Sequence, residues 1–493
     1  MRSTLALALL AVCGTALAVP NSLYSTVASS NSSLVPGSTT RRYTAIQRPT
    51  SNPNGNYLGF NSLSSDGSSA QGYTFGTYGS PVSFTFPLMV GGTWPLNTSL
   101  LATGGNRGAM GVNDSGVFAL TGGQNAGGAT TDEHVLTYTL SSNTFTLIAQ
   151  EGQNEPNIGG IYSSAITAPH ILADGTVCFM AGGQNTTLIG ALMKGTTVLA
   201  KRTETIPAGQ LTVTPQTIQR FTNDQFRVGA YDTSYLYQCW LGTDTTTRTS
   251  VIVDGTVVAQ QGFALPGSVI TTAVDVLPTS NAVSMSSMSS RNRHYAFRGS
   301  FAGGQDFAVY GTVGGSKSFV YEGDPIAQDS SELWTVIDGT GVNSYNEKVI
   351  TGSTDNPDAA LGNVIVFNNG YYSKVVLRRG DGVDLNGNGL ADDGYSFYRL
   401  NNDNWTFCDN NRLFIAGELR ATGATSSVGS LLVLDLPITG DVDGSDEVDA
   451  VDIDQVIAAF GSTTPGIPED VDGSIEVDAV DIDIVITNFG RTR

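Results

Sequence analysis

The sequence predicts an all-β protein: a seven-bladed β-propeller followed by a small α-helical module with two calcium loops. Three observations predict it. A marker made of an Asn, Asp or Gly turn and then a short apolar strand recurs seven times. A second marker, a strand ending in a Gly-centred turn, interleaves with the first at the same period. Near the C-terminus two acidic loops lie 29 residues apart, each followed by an apolar stripe of helical spacing.

Arg2, the apolar run Leu5 to Val12 and the A-x-A site Ala16-Leu17-Ala18 read as a secretory signal peptide over residues 1–18. The alternative is a lipoprotein signal acylated at Cys13. Either reading places the protein outside the cell or on its surface. No later stretch approaches the ~20 apolar residues of a membrane helix. Residues 19–52 are rich in Ser, Thr and Asn with little apolar periodicity. They read as a flexible lead-in, joined to the fold near Tyr43.

Residues 53–437 carry the repeat. The first marker reads N-G-N-Y-L-G-F at Asn54, N-D-S-G-V-F-A-L at Asn113 and A-D-G-T-V-C-F-M at Ala173. Looser copies start at Asn223, Asn292, Asn346 and Asn410. Aligned on Gly55, Gly116, Gly175, Gln225, Arg293, Glu347 and Asn411, the spacings run from 50 to 68 residues. The second marker centres on Gly91, Gly152, Thr203, Gly262, Gly323 and Gly380, and the strand Leu431 to Leu436 closes a seventh unit. A period of this length built from short strands and turns fits a four-stranded propeller blade. Six blades, or a pair of β-sandwiches, are the alternatives. The repeats resemble a family of secreted bacterial proteins with tandem N-x-x-G-x-x-A-F units. That resemblance spans nearly 400 residues and implies no known activity.

The chain holds 24 basic and 44 acidic residues, net −20. Such a chain repels phosphate backbones, which argues against nucleic-acid binding. Fourteen of the acids and no Lys or Arg fall within residues 441–490. There D-V-D-G-S-D-E-V-D-A-V-D runs from Asp441 and D-V-D-G-S-I-E-V-D-A-V-D from Asp470. Calcium takes six to eight oxygens, supplied by loop positions 1, 3, 5, 7, 9 and 12. The first loop offers Asp441, Asp443, Ser445, the Glu447 carbonyl, Asp449 and Asp452. The second offers Asp470, Asp472, Ser474, the Glu476 carbonyl, Asp478 and Asp481. The stripes Ile453, Val456, Ile457, Phe460 and Ile482, Val485, Ile486, Phe489 each predict one buried helical face. Gly461 and Gly490 stop the helices.

The duplicated loop and helix at 441–490 resemble a type I dockerin. The resemblance implies calcium-dependent folding and docking onto a cohesin-like partner or another cell-surface protein. Two departures matter. Position 6, usually Gly, is Asp446 in the first loop and Ile475 in the second. The positions that read the partner in that family are here Ala450-Val451 and Ala479-Val480. A third acidic loop starts at Asp384, with oxygens at Asp384, Asn386, Asn388, the Leu390 carbonyl and Asp392 or Asp393 in the same hard-cation pattern. Its twelfth position is Tyr395, and a plain Asn-Gly turn is the alternative reading.

Catalytic signatures are missing. There is no G-x-S-x-G, H-E-x-x-H, P-loop or sialidase Asp-box. His134, His170 and His294 lie in different repeats and read as structural. Glu151 and Glu322 occupy equivalent places in two repeats, which suits turn chemistry better than catalysis. Cys178, Cys239 and Cys408 read as small buried hydrophobes, with one disulfide possible. Two functions follow. One is a non-catalytic extracellular module, its propeller binding a polysaccharide or protein and its tail tethering it. The other is a glycoside hydrolase or polysaccharide lyase carried to an extracellular assembly.

Overall fold

The computed structural model describes residues 21–26, 33–67, 69–79, 83–89, 110–123, 133–182, 189–206, 215–244, 249–277, 286–327 and 330–493. The signal-peptide reading and the marker at Gly91 fall outside them. Strands make up 52% of the chain. The chain separates into two compact units, residues 19–435 and a C-terminal unit from Leu436 to Arg493. No helix among the described residues is long and apolar enough to cross a membrane.

The first unit is a seven-bladed propeller. Blade 1 runs Arg42–Ser51, Tyr57–Ser65, Ser69–Thr77 and Ser83–Met89, each strand antiparallel to the next. Blades 2, 3, 4 and 6 repeat this order from inner strands Met110–Val112, Ser163–Ile171, Gln216–Val228 and Trp334–Val342. In blade 5 two short strands, Val274–Val276 and Ser286–Met288, both pair with His294–Phe301. Blade 7 is built from Tyr395–Phe407, Arg412–Ala421 and Val428–Asp435, and its outermost strand is Asn21–Thr26 from the other end of the chain. Among the described residues, seven sheets of four or five strands decide against six blades and against sandwiches.

For residues 21–26 and 33–52, the described part of the Ser/Thr/Asn-rich segment, this corrects the reading as a flexible lead-in. Asn21–Thr26 pairs along Val428–Asp435, and Arg42–Ser51 is the inner strand of blade 1, with Tyr43 fully buried. A polar strand is invisible to periodicity when its partner lies about 400 residues away and the pairing is made by backbone.

Each apolar cluster is shared by neighbouring blades. Ala119 and Val135 of blade 2 pack with Phe179 and Met193 of blade 3, and Tyr43 and Phe60 of blade 1 pack with Phe414 and Leu431 of blade 7. Both faces of a blade are therefore covered. Inner segments such as Val117–Gly123 are buried almost continuously instead of alternating.

The two sequence markers are two turns. The first links the inner strand to the second strand. Gly55, Gly116, Gly175, Arg293, Asn346 and Asn411 all have positive φ there. In blade 4 that turn is not at Gln225, which lies inside the inner strand. It is at Thr233, φ 59°, next to Asp232, whose Oδ1 accepts the Ser234 N–H. The second marker ends a blade's outer strand. Gly152, Thr203, Gly262, Gly323 and Gly380 have φ between 70° and 98°. Each donates its N–H to the next blade, onto the carbonyls of Tyr162, Ile218, Val274, Trp334 and Phe397. Glu151 and Glu322 precede two of these turns and make equivalent backbone bonds, to the Glu133 and Asp306 carbonyls.

The inner turns also lock to one another around the ring. Asn52 donates to Asp114, Asn113 to the Leu172 carbonyl, and the Ala173 N–H to Ala230. The Tyr231 N–H donates to Ser290, the Arg291 N–H to Ser344 Oγ and the Ser344 N–H to Asp409 Oδ1. The Asp409 N–H closes the ring on Pro53. A typical such bond contributes about 0.5–1.5 kcal/mol net, and together they tie each inner turn to the next around the ring.

Candidate functional site

The C-terminal unit is built from two copies of loop plus helix. Helix α1 spans Ala450–Ala459 and helix α2 spans Ala479–Asn488. Asp449 and Asp478 cap them, each in a capping box with Asp452 or Asp481. Loop position 9 therefore starts the helix and position 12 sits in its first turn. The loops interlock. The Val448 N–H donates to the Arg491 carbonyl and the Gly490 N–H to Val448, while the Gly461 N–H donates to Val477 and the Val477 N–H to Ser462. Each loop is thus tied to the chain beyond the other loop's helix.

In each loop three carboxylates converge. Asp441, Asp443 and Asp452 bring ligand oxygens within 4.8 Å of one another, and Asp470, Asp472 and Asp481 do the same. Position 12 is fully buried in both copies. Asp452 accepts the N–H groups of Val442, Asp443 and Asp449, and Asp481 those of Asp472 and Asp478. Ser445 Oγ lies 3.1 Å from the Glu447 carbonyl, and Ser474 Oγ 3.1 Å from that of Glu476, so positions 5 and 7 are adjacent. Asp449 and Asp478 spend one oxygen each on a helix N–H. Burial pushes the Asp441 and Asp470 carboxyls above their ordinary range, and the facing carboxylates add to the rise. Asp470 Oδ1 is buried with no hydrogen-bond partner among the described residues. The donor set is one that a hard divalent cation would fit, since it would offset the mutual repulsion and satisfy the buried oxygen.

Position 6 takes the left-handed backbone in both loops, Asp446 at φ 67° and Ile475 at φ 83°. A β-branched residue there is strained. The helical stripes are only half buried. Val456 and Val485 are buried, whereas Ile457, Phe460, Ile486 and Phe489 are all more than half exposed. The core is supplied instead by loop valines, Val442, Val448, Val471 and Val477, packed with Val456, Ile484 and Val485. Val451 and Val480 are exposed as well.

The third loop connects blades 6 and 7. Asp384 is fully buried, and its oxygens accept the N–H groups of Asn386, Gly387 and Gly389. Burial alone raises its carboxyl, but these backbone donors together hold it below the ordinary range. The bond from position 6 is common to all three loops: Asp446 to Asp441, Ile475 to Asp470, Gly389 to Asp384. Asp393 accepts the N–H groups of Leu385 and Asn386, the role of position 12 in the tail loops. Among the described residues no three carboxylates converge here. Asn388 and Leu390 bond to each other, and Asp392 receives only Asn388 Nδ2 at 3.4 Å.

One cavity of the propeller is its central channel, about 200 Å³, lined by residues of all seven inner strands. Two residues before the residue that opens each inner turn (Asn52, Asn113, Leu172, Gly229, Ser289, Asn343 and Cys408) the chain lines it, at Thr50, Gly111, His170, Arg227, Ser287, Gly341 and Thr406. A Cβ on Gly111 would lie 2.8 Å from the His170 Cα, so glycine is required for the blades to meet. His170 Nε2 and Arg227 Nη1 share the Phe226 carbonyl, at 2.7 and 2.8 Å. Enclosure by protein, then the Arg227 charge, push the His170 pKa down to about 4, against the Phe226 bond. The ring is largely enclosed by protein and borders the channel. It is neutral, with Nε2 carrying the proton and Nδ1 left as acceptor. His294, by contrast, bonds Thr312 Oγ1 at 2.8 Å and is structural. Cys178, Cys239 and Cys408 are free and buried, and burial pushes the Cys178 and Cys408 thiols up to about 12. The channel residues escaped sequence reading, although their fixed offset from the inner turn was there to find.

The chain is thus a seven-bladed β-propeller with an acidic two-helix module appended. No family model and no curated protein sequence matches it. Among solved structures it is similar to the β-propeller domain of the Trilobed protease from Pyrococcus furiosus, at 6% identity over 80% of this chain and 97% of that one, TM-score 0.39. It is also similar to an oligogalacturonate lyase in complex with manganese, at 11% identity over 81% and 90%, TM-score 0.42. A third is the BP39L lectin from Burkholderia pseudomallei, at 10% identity over 80% and 99%, TM-score 0.30.

Proposed function

We propose that the protein is a secreted, non-catalytic binding module whose propeller engages a polysaccharide or protein. In this reading its tail is a calcium-dependent docking module of the dockerin kind. The observation that carries it is the duplicated triad of converging carboxylates, each behind a left-handed sixth position and closed by a helix-capping Asp. Calcium would be held by Asp441, Asp443, Ser445, the Glu447 carbonyl and Asp452, with Asp449 reached through water, and by the matching set from Asp470 to Asp481. The exposed Val451, Ile457 and Phe460, repeated as Val480, Ile486 and Phe489, supply an apolar surface for a cohesin-like partner. The loop at Asp384 is a third, weaker cation site, since its oxygens are already committed to backbone donors.

Calcium calorimetry on the full chain tests the tail. Two strong sites are expected, one lost in each of Asp441→Ala and Asp470→Ala. Absence of calcium heat refutes the reading. Surface-plasmon titration against purified cohesin modules, with and without chelator, tests docking. A glycan array run beside a reducing-sugar assay tests the propeller. Binding without release supports a binding module, and release abolished by a single carboxylate change would make the protein an enzyme.

A further inference from the structure

We propose that the rim where blade 6 passes into blade 7 is a binding site for an acidic polysaccharide, its carboxylate or sulfate groups held by Arg379 and Arg420 and its hydroxyls met by Tyr398. This rests on reading the propeller as a polysaccharide-binding module and names its ligand class.

Two local features build this corner. The outer turn at Gly380 carries Arg379 to the start of blade 7: the Gly380 N–H donates to the Phe397 carbonyl and the Phe397 N–H to that of Asp381, both at 2.8 Å. Tyr395–Phe407 then takes one extra residue against Arg412–Ala421, since Phe397 pairs with Leu419 and Arg399 with Glu418. The residue left without an opposite number is Tyr398. A bulge of this kind re-aims a side chain. Here it stands the Tyr398 ring among three guanidinium groups, with the Cζ atoms of Arg420, Arg379 and Arg399 at 3.6, 4.4 and 5.8 Å from the ring centre.

Charge at the corner is only partly compensated. Arg399 is committed to Glu418, Nη2 to Oε1 at 2.9 Å. Glu418 also accepts Ser427 Oγ. Burial alone raises its carboxyl, but the Arg399 and Ser427 bonds and the Arg399 and Arg420 charges hold it below the ordinary range, so it is ionised. Glu332 is bidentate with Arg378, and Asp381 accepts the Arg378 N–H. Among the described residues neither the Arg379 nor the Arg420 guanidinium makes a hydrogen bond or a salt bridge to the protein. The Tyr398 ring is what holds them, and Arg420 Nε is buried with no hydrogen-bond partner among the described residues. Arginine stays protonated and carries five N–H donors. Two half-buried cations with unused donors are thus tied to one ring, in a chain whose net charge is −20. Their Cζ atoms are no farther apart than the sum of their two distances to its centre.

The surroundings select the ligand. The Arg399 side chain is 58% exposed, so the corner opens to solvent. An open surface holds a lone small anion weakly, because water and salt screen the pair. A polymer that repeats its anion engages both arginines, and the second contact is then intramolecular. The Tyr398 hydroxyl makes no hydrogen bond among the described residues, and a phenol both donates and accepts. It suits the hydroxyls beside the anion of an acidic sugar, which the side chains of an acidic peptide lack.

Biolayer interferometry on the full chain tests this, with hyaluronate, dextran sulfate, dextran and poly-L-glutamate as probes, in calcium and again in chelator. Hyaluronate carries carboxylates, dextran sulfate carries sulfate esters, dextran carries neither, and polyglutamate carries carboxylates without hydroxyls. At least one of the two anionic glycans should bind about tenfold or more tighter than dextran and polyglutamate, and the one that binds names the anion. Arg379→Gln combined with Arg420→Gln should lose about tenfold or more of that affinity. Tyr398→Phe keeps the ring that holds the arginines and should lose about threefold to tenfold, so it carries the test if the double variant does not fold. Equal binding of dextran or polyglutamate, or unchanged affinity in Tyr398→Phe or in a folded double variant, would overturn the proposal. So would binding that vanishes in chelator while the propeller still melts cooperatively, which would move the polymer to the acidic tail. The glycan array separates the two readings. Neutral glycans bound with both anionic polymers silent removes the rim site and leaves the binding module. A blank array with all four polymers silent removes the polysaccharide reading as well.

Discussion

At the scale of single residues, backbone sign is the most informative quantity in this chain. Four of the five described outer turns place glycine at positive φ, and the fifth places Thr203 there, at φ 70°. A β-branched side chain in the left-handed region costs about 1–2 kcal/mol, and Thr203 is exposed, so it gains little packing in return. Thr203→Gly should therefore stabilise the propeller by about 0.5–1 kcal/mol, after the entropy cost of glycine. A calorimetric melt checks it, and a lower midpoint would mean that the Thr203 hydroxyl matters more than its strain. His170 gives a pH dependence. Its folded-state pKa lies at about 4 against an ordinary 6.5. The folded protein therefore binds fewer protons than the unfolded chain between those values. The stability this group contributes is complete above about pH 6.5 and is lost as pH falls toward 4. The loss amounts to at most about 3 kcal/mol. His170→Gln keeps a neutral donor for the Phe226 carbonyl. Its melting midpoint should fall less than that of the native protein between pH 7 and pH 4.5, and parallel curves would show that the ring is not the sensor.

At the scale of elements, the closing strand decides the ring. Val428–Asp435 would be an open edge if Asn21–Thr26 were absent, with a row of unpaired N–H and C=O groups. Removing residues 21–26 should lower the propeller's melting midpoint by several degrees and promote aggregation. An unchanged melt and a monomeric elution would show that three strands suffice in blade 7. This strand also marks the limit of what the sequence makes legible. Inner turns such as Gly55, Gly116 and Gly175 could be read because a left-handed turn demands Gly or Asn, and the demand recurs at the blade period. The blade 4 turn escaped because Thr233 and Asp232 meet it with other residues. The convergence of carboxylates in the two tail loops was legible because the spacing of those acids is a local property of the chain. The half-exposed helical stripes were not, since periodicity records that residues share a face and not whether anything covers it. The channel escaped for a related reason: a ring of residues from seven blades has no local pattern, and only the turns bring their positions into line.

At the scale of the whole molecule, the two units have different sources of stability. The propeller shares its apolar clusters between neighbouring blades and closes through backbone bonds. The C-terminal unit has a core of eight buried residues, none larger than isoleucine. It must also hold two carboxylate triads within 4.8 Å. A core that small is usually supplemented by a metal or another staple. Its folding is therefore expected to be linked to calcium, with stabilisation of about 2.7 kcal/mol when free calcium stands at 100 times the dissociation constant. A scanning-calorimetry trace of the full chain should show two transitions. The smaller should rise with calcium and collapse in chelator, while the propeller's should move little. The loops should differ. Asp446 takes the left-handed sixth position more readily than Ile475, so the first loop should bind more tightly. Asp441→Ala should then cost more calcium affinity than Asp470→Ala, and Ile475→Gly should narrow the gap by releasing strain from a side chain that is more than half exposed. A small transition that ignores both calcium and chelator would sever the folding linkage, and equal affinities in the two loops would show that backbone strain at the sixth position does not set them.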